Sequence, residues 1–359
     1  MIPARAALRR IMAFMRKESL QLLRDRATLG MLLGIPLLQL VVFGFAIELV
    51  PRSVDVTLVT ATADSSRIEH TVRQIVGPAR IQTLASLDVA FRMMRRGDAN
   101  IVIDARRRPV TVYIDASNPV LGLHAEGSID RWVHAMNEPL LAEESSPLDI
   151  HVIRLYNPTG STQPFLLTGL LGAIPTMSLV MMAALTIARE RERGTLEAVR
   201  ASPARFVEVA IGKLVPYLCL GWVQSLLILA VIFAVFPIRV AGHLTYILLA
   251  MACFTVANLL LGFLFSCLAR QQMQAMQMTF FFFLPSSLLS GFMFPFQAMP
   301  PWARAVGECL PMTHYLRITR AVILRGAEAD YVWSETLPIV LFAAVAAVLS
   351  LGAWRRRLA

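Results

Sequence analysis

The residues of this chain whose types and spacing suit specific chemistry lie in one charged segment, residues 188–217. It contains the carboxylates Glu190, Glu192, Glu197 and Glu208 among six basic side chains, so its chemistry is ion pairing with a partner surface. Catalysis beside a membrane span would need a His/Glu or Ser/Lys constellation, and we find none in the sequence. No catalytic and no metal-binding residue is therefore predicted.

Two uncharged stretches flank the charged segment, residues 155–188 before Arg189 and residues 214–238 after Lys213. Each is long enough for a membrane-spanning helix of about 20 residues. The segment is then a short loop that joins two spans on one side of the membrane. Its excess of arginine and lysine beside span ends predicts the cytoplasmic side.

The loop has internal helix signals. Gly194 and Thr195 interrupt the helix that leaves the membrane, and residues 197–199 suit a short helical piece. Ser202 suits the cap of the next helix, with Pro203 at its first position. The pattern predicts a rigid helix–turn–helix projection, and the alternative is an ordinary connecting loop with positive-inside charge.

The run from Glu190 to Tyr217 resembles the loop between the second and third spans of ABC type-2 exporter permeases. The resemblance rests on Glu190, Glu192, Gly194, Thr195, Glu197, Ser202, Pro203, Glu208, Gly212, Lys213, Pro216 and Tyr217 in this order. Residues 290–326 resemble the outward-facing segment before the last span of the same permeases. Together with the N-terminal anchor the likeness covers most of the chain, and the large external loop matches more loosely.

The resemblance implies that residues 189–213 couple the permease to a separate ATPase subunit, which binds ATP and Mg. The coupling residues it implies are Glu190, Arg191, Glu192, Gly194, Thr195, Glu197, Ser202, Pro203, Glu208, Gly212 and Lys213. It further implies a second permease subunit, identical or different. A periplasmic adaptor and an outer-membrane channel are possible additional partners in bacteria with two membranes.

The composition predicts a polytopic membrane protein, because 56% of the 359 residues are hydrophobic and the mean hydropathy is +0.60. The net charge of +10 raises the alternative of nucleic-acid binding. However, the basic residues concentrate beside predicted spans, in residues 1–27, 189–213 and 355–357. This distribution indicates membrane orientation, with both termini in the cytoplasm. The resemblance to exporter permeases implies that the membrane is the inner membrane of a bacterium.

The predicted fold is a polytopic α-helical membrane protein with six spans and an inserted α/β extracytoplasmic domain. The predicted units are an amphipathic helix in residues 1–26, a first span in 27–50, an external domain in 51–163, and a five-helix membrane domain in 164–359 that contains an outward re-entrant segment in 295–331. The six spans are expected at residues 27–47, 165–188, 214–236, 244–267, 277–294 and 336–354. The N-terminal helix is expected to lie in the membrane interface, with a soluble basic flank as the alternative.

Residues 51–163 carry twelve basic and thirteen acidic residues, as expected of a long domain that is exempt from the charge bias. Alternating apolar residues and turn signals predict a mixed sheet. Strands are expected at residues 54–60, 79–84, 100–104, 110–115 and 149–156, and helices at 65–75, 86–96 and 127–141.

The predicted spans contain no charged residue in their centres, which argues against an ion-driven transporter. The chain also lacks a phosphate-binding loop, so active transport would need an ATPase on another subunit. Polar residues in the spans either pair between helices or line a translocation path. They are Gln39, Gln224, Asn258, Gln277, Ser286 and Ser287.

The expected function is therefore outward transport of drugs or other amphiphiles by a permease subunit that has no nucleotide-binding motif of its own. One alternative within the same class is a lipid or glycan exporter. A second is a membrane-anchored scaffold that displays the external domain to partners, although six spans exceed what an anchor needs.

Overall fold

The computed structural model of the chain is mostly helical. It describes residues 4–25, 30, 34, 37–39, 56–59, 81–84, 86–104, 106, 110–117, 150–156, 163–236, 238, 240–294, 296 and 299–356. The helices are α1 (Ala4–Arg24), α2 (Leu87–Arg96), α3 (Gln163–Glu192), α4 (Leu196–Ala201), α5 (Phe206–Val235), α6 (Leu244–Leu268), α7 (Gln272–Leu289), α8 (Pro301–Gly307), α9 (Pro311–Arg325) and α10 (Ala329–Arg356). The strands are β1 (Val56–Val59), β2 (Ile81–Leu84), β3 (Ile101–Asp104), β4 (Val110–Asp115) and β5 (Ile150–Leu155).

Four helices of the described residues, α3, α5, α6 and α10, are long and apolar enough to cross a membrane. The predicted spans at 165–188, 244–267 and 336–354 each lie within one of them, and the span predicted at 214–236 ends one residue beyond α5. The predicted span at 277–294 corresponds to α7, which ends at Leu289 and is not among the four. Glutamines at 272, 274 and 277 lower its hydropathy. The predicted span at 27–47 lies almost wholly outside the described residues.

Helix α3 is the most buried of the four spans, and its packing on α6 is the most extensive contact between described elements. A Cβ atom placed on Gly262 of α6 would lie 2.4 Å from the carbonyl oxygen of Val180 in α3. One turn further, the Ser266 hydroxyl accepts a hydrogen bond from the Ile187 amide at 2.6 Å. Small residues that let two backbones approach are how apolar helices associate in a membrane, where burial alone supplies little driving force.

The segment after α7 forms two shorter helices, as the sequence predicts, each with proline at its first position: Pro301 in α8 and Pro311 in α9. Helix α9 is buried against α3 and α6, where the Tyr315 ring stacks on Phe254 with centroids 4.2 Å apart. Gly326 ends α9 with a φ of 65°. Helix α9 is therefore covered by protein, whereas α8 is more exposed, with Trp302 68% and Val306 46% exposed.

The strands form one five-stranded mixed sheet in the order β2-β1-β3-β4-β5. Only the β3–β4 pair of this sheet is antiparallel. All five predicted strands are confirmed, as is helix α2, which begins after Ser86 and ends at Gly97 in the left-handed conformation. Ala90 and Met94 of α2 pack on Val102 of β3. The predicted helices at 65–75 and 127–141 lie outside the described residues.

One side of helix α1 packs on α5. A Cβ atom on Gly212 of α5 would lie 2.5 Å from the Phe14 Cβ atom, so glycine is what lets the two helices meet. On other sides of α1, Leu8 and Met12 remain exposed. The amphipathic helix expected from the sequence is thus confirmed as a helix, but one side of it is covered by the membrane bundle.

The close contact between α3 and α6 predicts that Gly262→Ala is destabilising. The added methyl group meets a backbone oxygen, which cannot rotate away, and overpacking of this kind costs about 1–3 kcal/mol. Thermal unfolding of the purified protein in detergent should show a lower Tm. The matched control is Gly352→Ala in α10, where no atom lies within 4 Å of the added carbon. That variant should keep or raise the Tm, because alanine favours helix, and an equal loss in both variants would contradict the packing argument.

Candidate functional site

The charged loop forms a short helix held between two membrane helices. Gly194 ends α3 with a φ of 70°. The Thr195 amide donates to the Glu190 carbonyl at 2.9 Å and the Gly194 amide to the Arg191 carbonyl at 3.2 Å, which is the Schellman arrangement of a helix end. Helix α4 follows, and its Leu196 packs against Ile187 and Phe263. The predicted helix–turn–helix projection is therefore present and is anchored on the bundle.

The prediction that Ser202 caps the second helix, with Pro203 at its first position, is wrong. Helix α5 begins at Phe206, and Arg205 occupies the capping position. The Glu208 carboxylate accepts a hydrogen bond from the Arg205 amide at 3.0 Å. A carboxylate at the third helical position satisfies that otherwise unpaired amide, so Glu208 sets the start of the helix.

A buried ionic cluster joins α1, α3 and α5 just inside the loop. The Lys213 ammonium has no solvent exposure and lies 2.5 Å from the Glu18 carboxylate and 2.8 Å from that of Glu190. Lys17 also pairs with Glu190. The Tyr217 hydroxyl donates to Glu18 at 3.3 Å. A charge so deeply buried is tolerable only with such partners, because removal from water costs several kcal/mol per ion.

A second ionic contact repeats this link eight residues earlier on α1. Arg10 makes two parallel hydrogen bonds to Glu208, of 2.8 Å and 2.7 Å. This fork geometry is the strong form of an arginine–carboxylate pair, and it raises the pKa of Arg10. Helix α1 is consequently fixed at two points along the first part of α5.

The structure divides the predicted coupling residues into an inner and an outer group. The inner group, which faces α1 or the bundle, consists of Glu190, Glu208, Gly212 and Lys213. The outer group is exposed and consists of Glu192, Gly194, Thr195, Glu197 and Pro203, while Arg191 and Ser202 are half-buried. Within the outer group, Glu192 accepts a hydrogen bond from the Gln272 amide at 2.8 Å, which ties the loop to α7.

Glu197 stands apart in the outer group. It lies in the first turn of α4, its side chain is exposed, and it makes no hydrogen bond or ion pair with any described residue. It is therefore available to a cationic partner surface.

The polar residues predicted along the spans do not form one site. The Gln224 amide oxygen accepts a hydrogen bond from Ser178 at 2.9 Å, between α5 and α3, and Ser287 donates to the Leu284 carbonyl. Gln277 is exposed and Gln39 half-buried. Asn258 and Ser286 are buried, and their side-chain polar atoms have no hydrogen-bond partner within the described part of the chain.

The side chains of α1 that contact the loop were not predicted from the sequence. They are Arg10, Phe14, Lys17 and Glu18. One signal was present: Glu18 is an acidic residue on the same helical side as Phe14 and Leu22, in a helix that is otherwise basic. A lone carboxylate on an apolar side indicates a buried partner. It does not indicate which cation provides it.

A third ionic contact, which was also not predicted from the sequence, joins the sheet to helix α9. Arg325 at the end of α9 lies 3.3 Å from the buried Asp115 carboxylate of β4 and donates to the Ser117 hydroxyl at 3.0 Å. Nearby on α9, the Arg320 guanidinium lies 3.8 Å from the ring centroid of Phe165 at the start of α3. Helix α3 therefore contacts the charged loop at one end and the outward segment at the other.

Comparison with known proteins agrees with this architecture. The family model described as "ABC-2 family transporter protein" matches residues 26–355. The chain is 26% identical to the "Probable multidrug ABC transporter permease YbhR" of Escherichia coli (strain K12), over 97% of this chain and 99% of that protein. It is 27% identical to YbhS of the same organism, also named a probable multidrug ABC transporter permease, over 96% and 95% of the two chains. Because the family model covers nearly the whole sequence, the chain belongs to the ABC-2 family of transporter proteins.

Proposed function

We propose that the chain is the permease subunit of an ATP-driven exporter that moves drugs or other amphiphiles out of the cell. The names of the two Escherichia coli relatives support this class of cargo. The observation that carries the mechanism is the placement of α4. It exposes a carboxylate, Glu197, that has no ion-pair partner among the described side chains, while both of its ends are tied to membrane helices.

In this proposal a separate ATPase subunit binds ATP and Mg and presents a cationic surface to Glu197. Movement of that subunit displaces α4. Leu196 passes the displacement to the ends of α3 and α6, against which it packs. The Lys213 cluster then obliges α1 and α5 to follow, because separating its charges would leave them buried without partners.

The proposed topology has six spans, with residues 27–47 and α7 as the two beyond the four apolar helices. Both termini and α4 lie in the cytoplasm of a bacterium, the chain lies in its inner membrane, and the sheet faces outward. A second permease subunit, identical or different, completes the pathway. The sheet offers a surface for a periplasmic adaptor that leads to an outer-membrane channel.

For the translocation path, Asn258 and Ser286 are the favoured residues among those predicted. Their polar atoms are buried and have no hydrogen-bond partner among the described residues. Such groups are energetically costly inside a membrane, so their presence favours a functional role. Gln224 and Ser287 already have hydrogen-bond partners, which favours a structural role for both.

The role of Glu197 predicts that Glu197→Lys uncouples transport from ATP hydrolysis. Reversal of an interfacial charge places two like charges together, at a cost of about 2 kcal/mol or more. Cargo-stimulated ATPase activity of the purified complex should fall at least tenfold, or the ATPase should no longer co-purify, while the permease keeps its Tm. Glu328→Lys, at another exposed carboxylate just before α10, is the matched control and should behave as wild type. Wild-type stimulation in Glu197→Lys would refute the coupling role of α4.

The Lys213 cluster predicts a loss of stability that a neutral replacement repairs. Lys213→Met leaves the buried Glu18 carboxylate without a cation and Glu190 with Lys17 alone, at a cost of about 3–5 kcal/mol. The triple variant Glu18→Gln, Glu190→Gln, Lys213→Met removes all three charges and should recover most of the Tm. If the charges also transmit motion, transport stays impaired in the stable triple variant. Full transport by that variant would restrict the cluster to a structural role.

The topology predicts that single cysteines on α2 and α4 react from opposite sides of the membrane. Asp88→Cys and Ala201→Cys are suitable because both positions are exposed. Asp115, on β4 of the sheet, is not suitable because it is buried. Each is placed in a background without the native cysteines 219, 253, 267 and 309. In spheroplasts an impermeant maleimide should label position 88 only, and position 201 should react after permeabilisation. Equal labelling of both before permeabilisation would contradict the six-span arrangement.

A further inference from the structure

An apolar groove opens between α5, α6 and α10, at the ends of these helices nearest the charged loop. Its volume is about 420 Å3. The walls are side chains such as Ala210, Leu214, Leu259, Ala347 and Leu351. Ser350 is the only polar residue of the lining within the described part of the chain. Its hydroxyl donates to the Ala346 carbonyl at 2.7 Å, so it offers no donor to a ligand.

The groove lies on three helices that are apolar enough to span a membrane, and it is open to their outer surface. Val207 and Val348 on its lining are 56% and 69% exposed. A cavity with purely apolar walls is not a favourable site for water, which needs polar partners. Hydrocarbon is the medium that surrounds these helices, and it matches the chemistry of the walls.

One end of the groove has a basic rim. Arg355 lies four residues after Leu351, hence on the same side of α10 and one turn closer to the loop side. It is exposed and forms no ion pair with a described residue. Arg205, also exposed, directly precedes Phe206 of the lining.

An aromatic pair marks the boundary between the apolar groove and the basic rim. The ring of Trp354, next to Arg355, lies 5.5 Å from the ring of Phe206. Tryptophan is typical of the depth at which lipid headgroups meet the hydrocarbon. Along the site, apolar walls are followed by tryptophan and then by arginine. These match, in the same order, the hydrocarbon chain, the interfacial region and the charged headgroup of a phospholipid.

We propose that this groove is a specific site for an anionic phospholipid of the leaflet on the loop side, with one acyl chain between α5 and α10 and the phosphate at Arg355 and Arg205. Basic residues beside a cleft between spans are a recurrent arrangement for binding acidic lipid headgroups. A second copy of the chain is a poorer occupant, since a two-fold interface here would bring the arginine rims of both copies together. The bound lipid would then stiffen the base of α5, next to the loop.

The proposal requires that α5, α6 and α10 span the membrane. It does not depend on which cargo the proposed exporter moves or on how the exporter is oriented. It is tested on the full-length protein in nanodiscs with equal amounts of phosphatidylglycerol and phosphatidylcholine in both leaflets. Native mass spectrometry after release should find phosphatidylglycerol retained preferentially. Arg355→Gln should lower that preference about fivefold, the usual effect of one arginine near a membrane surface. Arg270→Gln, another exposed arginine, is the charge control and should leave it unchanged.

A second variant tests the apolar part of the site. Ala347→Phe fills the groove and should abolish lipid retention without lowering the Tm, whereas Val345→Phe, an exposed position outside the lining, should retain lipid normally. Equal retention of the two lipids by the wild-type protein would overturn the proposal. So would unchanged retention in Ala347→Phe, or a change of oligomeric state in that variant, which would identify the groove as a subunit interface.

Discussion

The buried ammonium of Lys213 is the constraint on which the loop side of the molecule depends. It is held by carboxylates from two other helices, Glu18 of α1 and Glu190 of α3. All three charged side chains are almost wholly buried, so the three helices must keep their relative positions or bear the cost of an uncompensated ion. The end of α3, the start of α5 and the docking of α1 therefore form one mechanical unit, which the Arg10–Glu208 pair extends.

The spans themselves are held together by a different force. Between α3 and α6 the contact relies on close backbone approach at Gly262 and on a hydroxyl bond at Ser266. At the opposite end of the bundle, charges reappear where Arg325 binds Asp115 of the sheet. Strong ionic contacts thus lie at the two ends of the bundle and dispersion forces dominate its middle, because an ion pair in the hydrocarbon region costs more than close packing.

Helix α3 connects these regions. Glu190 near its end belongs to the ionic cluster, its middle packs on α6, and Phe165 at its start lies against the Arg320 guanidinium of α9. In the proposed mechanism, a displacement of α4 is passed to α9 along this one buried helix. Helix α5 contacts α1 on one side and borders the apolar groove on another. The helix that follows the loop is therefore in contact with protein and with the lipid proposed for the groove.

The sequence by itself determined the features that depend on local order: the four long apolar helices, the five strands, and the break at Gly194. Hydropathy, alternation and the need of a left-handed residue at a helix end are all properties of neighbouring residues. Only the tertiary structure decided how the charges pair. Glu208 and Arg10 are 198 residues apart and Lys213 and Glu18 are 195 apart, and nothing local distinguishes a carboxylate that faces a partner subunit from one that neutralises a buried lysine. The start of α5 was mispredicted for the same reason, since Glu208, itself held by a distant arginine, outweighed the local preference of Ser202 and Pro203.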